Sequence, residues 1–315
     1  MKIDDVDIKK ICSSIKGRVS FDEAKQYEGY SYYADYIELF VIASKEEVGE
    51  GDIKNYFYNG NILADSSSRT EYNDSNESFV KDCLKEIGRR LDVFGDKYPF
   101  DFCDNSKNSL VLKKELSSDN ILYIQLLISS KLTFFSGVQA VLTTDFEKIS
   151  EYALKEFLSP KASIIALGKN TTIKGTAQEK IVHVANLLNG VCKNANNFIT
   201  GNQEYGVDIV AHVPFDDNSS NRLVYYCQCG CGSDINKKCA EPMQWLNLIE
   251  LENMNGQIVT FFPYNYIVGR GRVLFSAKFV GNPLIFERKR IMDYCKGEKC
   301  IDLEGFKFAQ SFVSV

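Results

Sequence analysis

Histidine is scarce in this sequence: His183 and His212 are the only two among 315 residues. A catalytic triad that depends on a histidine base is therefore poorly supported. No G-x-x-x-x-G-K-[ST] motif occurs, which excludes a P-loop phosphate cradle in this chain. Long apolar runs are missing too. The best candidate, 121–142, is interrupted by Gln125, Lys131 and Gln139, so it reads as core rather than as a membrane span. The start, Met1 to Asp7, has no basic segment leading into an apolar one. These absences lead to the expectation of a soluble, cytoplasmic protein with no membrane partner. There is no internal repeat and no low-complexity linker.

What is present belongs to an ordinary globular chain. Apolar residues make up 44% and charged residues 25%, which argues against wholesale disorder. The length leaves room for two domains. Ten cysteines are generous, but their spacing is irregular, and a chain of this size does not need stapling. The one cluster is Cys227, Cys229, Cys231 and Cys239. A C-x-C in a strand turns both thiols to one face, whereas a zinc ribbon wants C-x-x-C pairs. Buried core thiols are the simpler reading, and a regulatory zinc site the rarer one.

The net charge of −5 is unevenly spread. Residues 1–100 hold 14 basic and 20 acidic side chains. Within 266–299, by contrast, Arg270, Arg272, Lys278, Arg288, Lys289, Arg290, Lys296 and Lys299 face only Glu287, Asp293 and Glu298. Such a stretch could track a phosphate backbone or simply form a solvated face.

Apolar spacing predicts helices over 31–43 and 77–94, with Val80, Leu84, Ile87, Leu91 and Phe94 on one stripe. Leu110-Val111-Leu112 reads as a strand, and Ser117-Ser118-Asp119 as the cap of a helix running from 121 to about 135. The polar tract from Asp65 to Asn76 reads as a loop. Thr143-Thr144-Asp145 reads as the N-cap of a helix that stops at Ser159-Pro160. A strand at 163–167, a helix over 178–188 and a helix over 241–252 carrying Trp245 follow. Strands are expected at 257–262, 273–276 and 284–286. The boundary is placed at 143/144: a mainly helical sensing, partner or dimerisation region over 1–143, and an α/β domain over 144–315.

The chain is organised around two β-rich runs, Gly206 to His212 and Leu223 to Cys229, joined by the turn-like 214–221. Alternation along a strand puts Asp208, Val210 and His212 on one shared face, and likewise Val224, Tyr226 and Gln228, so that Asp208 and Gln228 can project from the same edge region. An acid near the start of one strand and an amide at the end of the next can meet. Buried together they need a compensator, and a divalent cation is a natural one. Glu179 in the preceding helix and Lys238, with Lys237 as fallback, complete the polar candidates. His183, one turn after Glu179, and His212 could also reach a metal or water, though packed or surface histidines are commoner.

The order of these residues resembles the restriction-endonuclease-like, or PD-(D/E)XK, nuclease superfamily. Gly206-Val207-Asp208-Ile209-Val210-Ala211-His212 followed by Tyr225-Tyr226-Cys227-Gln228-Cys229 is similar to its prokaryotic antiviral-defence members. So is the segment Leu284-Ile285-Phe286-Glu287-Arg288-Lys289-Arg290. The resemblance covers about 145–292. It implies a restriction-endonuclease-like α/β core, a central mixed sheet flanked by helices, with Mg²⁺ or Mn²⁺ as cofactor and DNA as substrate. Asp208 then matches the metal-bridging aspartate, Gln228 the (D/E) position and Glu179 the helical glutamate. Gly230 stands where D/E-x-K would put lysine, so Lys238 is taken as a migrated lysine. Other defence-system subunits and a homodimer are the implied partners. The rival reading is a catalytically degenerate module of the same fold that binds nucleic acid or a partner protein.

Overall fold

The computed structural model describes residues 6–17, 29–59, 69–103, 107–193, 204–214, 223–232, 235–251, 256–265 and 283–314. The chain forms two compact units. One comprises Met1–Leu142, Tyr264–Ile267 and Lys296–Val315, and the other Thr143–Pro263 and Val268–Cys295. The segments 65–68, 216–221, 270–272 and 273–276 lie outside the described residues.

The first unit is mainly helical: α1 (Ile8–Lys16), α2 (Gly29–Ser44), α3 (Glu50–Asn59), α4 (Arg69–Phe94) and α5 (Ser118–Ser129). A small antiparallel sheet sits among them, with β3 (Ser109–Leu112) between β1 (Val48–Gly49) and β2 (Phe100–Phe102). Its interior is charged as well as apolar. Arg90 is fully buried and donates to Asp35 Oδ1 at 2.8 Å and Glu38 Oε1 at 2.7 Å. The Tyr98 and Tyr123 hydroxyls also donate to Glu38. Buried charges survive only when paired in this way. The Ser117 cap expected for α5 is present, closed as a capping box with Asn120.

The second unit is built on a mixed five-stranded sheet flanked by helices. Its strands are β4 (Ser163–Ala166), β6 (Ile209–Val213), β7 (Leu223–Cys229), β9 (Gln257–Phe261) and β10 (Leu284–Phe286), in the order β10-β9-β7-β6-β4. β4, β6 and β7 form an antiparallel meander, while β9 joins β7, and β10 joins β9, in parallel. The helices are α6 (Gln139–Phe157) from Thr143 on, α7 (Ala177–Leu187), α8 (Ile235–Ala240), α9 (Met243–Leu248) and α10 (Arg288–Tyr294). A two-stranded sheet pairs β5 (Val191–Cys192) with β8 (Ile249–Glu250). The core against α7 gathers Ile181, Val184, Val207, Val210, Tyr226 and Trp245.

Several expected helices change extent. α4 begins at Arg69, so 69–76 of the tract expected as a loop are helical, and α5 stops at Ser129 instead of near 135. α6 runs through Thr143-Thr144-Asp145 instead of starting there, because no glycine or proline interrupts the turn before Thr143. Of the helix expected over 241–252 only α9 forms, and β8 follows it directly; α8 ends before it at Ala240, and Pro242, which has no N–H to continue α8, stands at the start of α9. The chain's last helix, α11 (Glu304–Ser314), belongs to the first unit. No helix among the described residues is long and apolar enough to cross a membrane.

Candidate functional site

The candidate site forms where β6 begins and β7 ends. The register pairs Ile209 with Cys227, and the Asp208 N–H donates to the Cys227 carbonyl at 2.8 Å, so Asp208 and Gln228 are cross-strand neighbours. Gln228 Nε2 donates to Asp208 Oδ2 at 3.1 Å, and the Cys229 N–H donates to the same oxygen at 2.7 Å. Gln228 is 4% exposed, and its Oε1 accepts no hydrogen bond. An orphaned buried acceptor is costly and asks for a cation or donor.

Gly206 lets that oxygen and Glu241 pack close to the backbone. Its φ of +74° is one that side-chain-bearing residues rarely adopt, and a Cβ there would lie 2.8 Å from Gln228 Oε1 and would collide with Glu241. Gly168, after β4, allows a second close approach. A Cβ on it would meet Glu147 Oε2 at 2.7 Å and Asp208 Oδ1 at 3.1 Å. The Glu147 and Asp208 carboxylates thus face one another across a gap that one side-chain carbon would fill.

Glu147 comes from α6. Burial pushes its carboxyl above the ordinary range, while the N–H of Lys169, at 2.8 Å, together with the Lys169 ammonium and Asn170, pulls it back. The residue had no local signal: it is one acid among several on an amphipathic helix. Only the fold brings it to Gly168.

Lys238 on α8 lies at the same edge. Its stem packs on Gly230, with Cγ 3.2 Å from where a Cβ would be, and its ammonium donates to Glu241 Oε2 at 2.8 Å. Lys237, its neighbour, is exposed. The field of Lys238 reaches the Cys231 thiol, as do those of Asp208, Lys169 and Glu147. Burial pushes Cys227, Cys229 and Cys231 well up, and Cys239 up to about 11. These thiols are protonated and inert near neutral pH.

Glu179 has a different place. It is the third residue of α7, exposed, and its carboxylate accepts from the Thr176 N–H at 2.7 Å while the Glu179 N–H donates to Thr176 Oγ1. That reciprocal capping box holds its carboxyl below the usual range. The pattern Thr-Ala-Gln-Glu at 176–179 was the signal that could have identified it. His183 is exposed on α7. His212 is buried four residues along β6 from Asp208, roughly 13 Å at strand rise. Neither stands beside Gln228. In the basic stretch, Arg288 is fully buried and donates to the Pro263 carbonyl, Arg290 donates to the Ile285 carbonyl, and Lys289 pairs with Asp293. These cations support α10 and its surroundings.

Among the described residues no group of three or more His, Cys, Asp or Glu side chains is placed to hold a metal. The groups at this edge are fewer and harder: the Asp208 and Glu147 carboxylates meet at Gly168, and the Gln228 amide oxygen lies one step away at Gly206, beside Glu241. Mg²⁺ takes such a set, because it keeps several of its waters and needs only one or two carboxylates. The comparisons with family models, curated proteins and solved structures gave no match.

Proposed function

We propose that the second unit is a restriction-endonuclease-like, metal-dependent endonuclease that hydrolyses DNA phosphodiesters as an effector of prokaryotic anti-phage defence. The observation that carries the reading is the meeting of Asp208 with Gln228, whose buried Oε1 has no donor, beside the Glu147 carboxylate. The defence role rests on the resemblance alone.

In this reading Asp208, Glu147 and the Gln228 carbonyl would hold Mg²⁺ or Mn²⁺, with Glu147 as the helical glutamate and Glu179 left to its capping box. The cation supplies charge against the negative charge that develops on the phosphate, and makes an attacking water more acidic. Asp208 is held for this by the Cys229 N–H and the Gln228 amide, so its orientation is fixed before substrate arrives. An ammonium at the edge stabilises the crowded phosphate, and Lys238 is the lysine that the sequence singles out. Gln228 in place of an acid leaves the site one negative charge short. Metal affinity should therefore rise in Gln228→Glu.

One feature favours the rival reading of a degenerate binding module: Asp208 Oδ2 already accepts two internal hydrogen bonds. Cleavage of plasmid and linear DNA with Mg²⁺ or Mn²⁺, by wild type and Asp208→Ala, separates the two. The nuclease reading expects metal-dependent cutting that falls on the order of 100-fold or more in the variant. It also expects metal to stabilise wild type only, by about 2.7 kcal/mol at a hundredfold excess over Kd, read as a raised melting temperature. Absence of both effects in wild type would leave the degenerate module.

A further inference from the structure

Lys169 is a second lysine at this edge, and the turn that carries it is tied to the site. The N–H groups of Leu167 and Gly168 donate to the Asp208 carbonyl at 2.8 and 3.1 Å. The next N–H, that of Lys169, donates to Glu147 Oε2 at 2.8 Å. Its ammonium donates to Thr143 Oγ1 at 2.5 Å, and Thr143 stands one helical turn before Glu147 on α6. Main chain and side chain of Lys169 therefore clasp the same face of the helix that presents Glu147.

The two lysines spend their charge differently. The Lys238 ammonium is matched by the Glu241 carboxylate at 2.8 Å and is half-buried. Lys169 is exposed, and its ammonium is bound to a neutral hydroxyl. An ammonium has three donors, so two remain for another acceptor. A phosphate approaching Lys238 meets a cation paired with a carboxylate at 2.8 Å; one approaching Lys169 meets an ammonium hydrogen-bonded to a neutral hydroxyl, within the field of Glu147.

We infer that Lys169, presented by the turn after β4, supplies the ammonium that contacts the scissile phosphate, while Lys238 is held back by Glu241. The inference rests on the nuclease reading and deepens it. Lys169→Ala keeps the backbone bond to Glu147 and removes the charge together with the bond to Thr143, and an exposed side chain can be shortened without unfolding the chain.

The test measures DNA cleavage with Mg²⁺, and binding of a short labelled duplex in EDTA at several salt concentrations, for wild type, Lys169→Ala, Lys169→Arg and Lys238→Ala. Expected are a loss of cleavage of about 100-fold in Lys169→Ala, partial recovery in Lys169→Arg and a smaller loss in Lys238→Ala. The slope of log affinity against log salt should shrink by about one in Lys169→Ala, at an unchanged melting temperature. Wild-type cleavage that persists in Lys169→Ala, or a larger loss in Lys238→Ala, overturns Lys169 and leaves the nuclease reading standing. If wild type binds the duplex without cutting it, the salt slope decides: a reduced slope supports the contact and an unchanged slope overturns it. If wild type neither cuts nor binds DNA, both inferences fall.

Discussion

Asp208 and Gln228 could be paired from sequence because strand alternation is strict: an acid at one strand start and an amide at the next strand end meet if the two runs pair. Glu147 could not, since the contact that matters spans Gly168, far along the chain and visible only once β4 lies beside β6. Its raised carboxyl pKa gives a testable sign. A carboxyl raised above its ordinary 4.5 favours the folded state below that value, and the contribution is lost as pH rises through the raised one. Glu147→Gln does not titrate. In EDTA its melting temperature should therefore gain on wild type as pH climbs from about 4 to about 7. With Mg²⁺ present the order should reverse, because the variant has given up a ligand. Parallel melting curves at every pH would remove Glu147 from the metal set.

At the scale of elements, the hairpin strands, the strand at 163–167 and the α5 cap were legible, since each has a local pattern of alternation or capping. The parallel addition of β9 to β7 was not, because the partners are separated by α8 and α9 and no local pattern specifies the pairing. The start of α7 shows how a local rule can be overlooked. Thr176 and Glu179 serve each other, so Thr176→Ala and Glu179→Ala should both lower the melting temperature by a few degrees at neutral pH. The Glu179 share should fade as pH falls below 4.5, where the free carboxyl protonates. DNA cleavage should stay within about twofold in both, against the deep loss expected at Asp208. A deep loss in Glu179→Ala alone would return that residue to the reaction.

At the scale of the molecule, sequence places one boundary at 143/144 and runs the second region to residue 315. The compact units divide after Leu142 and count Lys296–Val315 with the first. What draws that segment there is packing that no local pattern announces. Phe308 and Phe312 set their rings at 6.1 and 5.5 Å from Phe135, and the Gly297 N–H donates to Asp119 Oδ1 at 2.7 Å. A Cβ on Gly297 would collide with the backbone at Ser118 and Asp119, the start of α5.

The placement of α11 also sets an order of assembly. A chain emerging from its amino end completes the sheet unit by about residue 295, while the helical unit still waits for its final piece. Until then the faces of α5 and Phe135 that α11 covers stay open to solvent. During synthesis the later-encoded unit should thus become protease-resistant before the earlier-encoded one. Chains cut short near residue 296 and released should show a protected fragment spanning roughly 143–295 and a cleavable amino-terminal portion, with protection of that portion arriving only in chains that include Phe312.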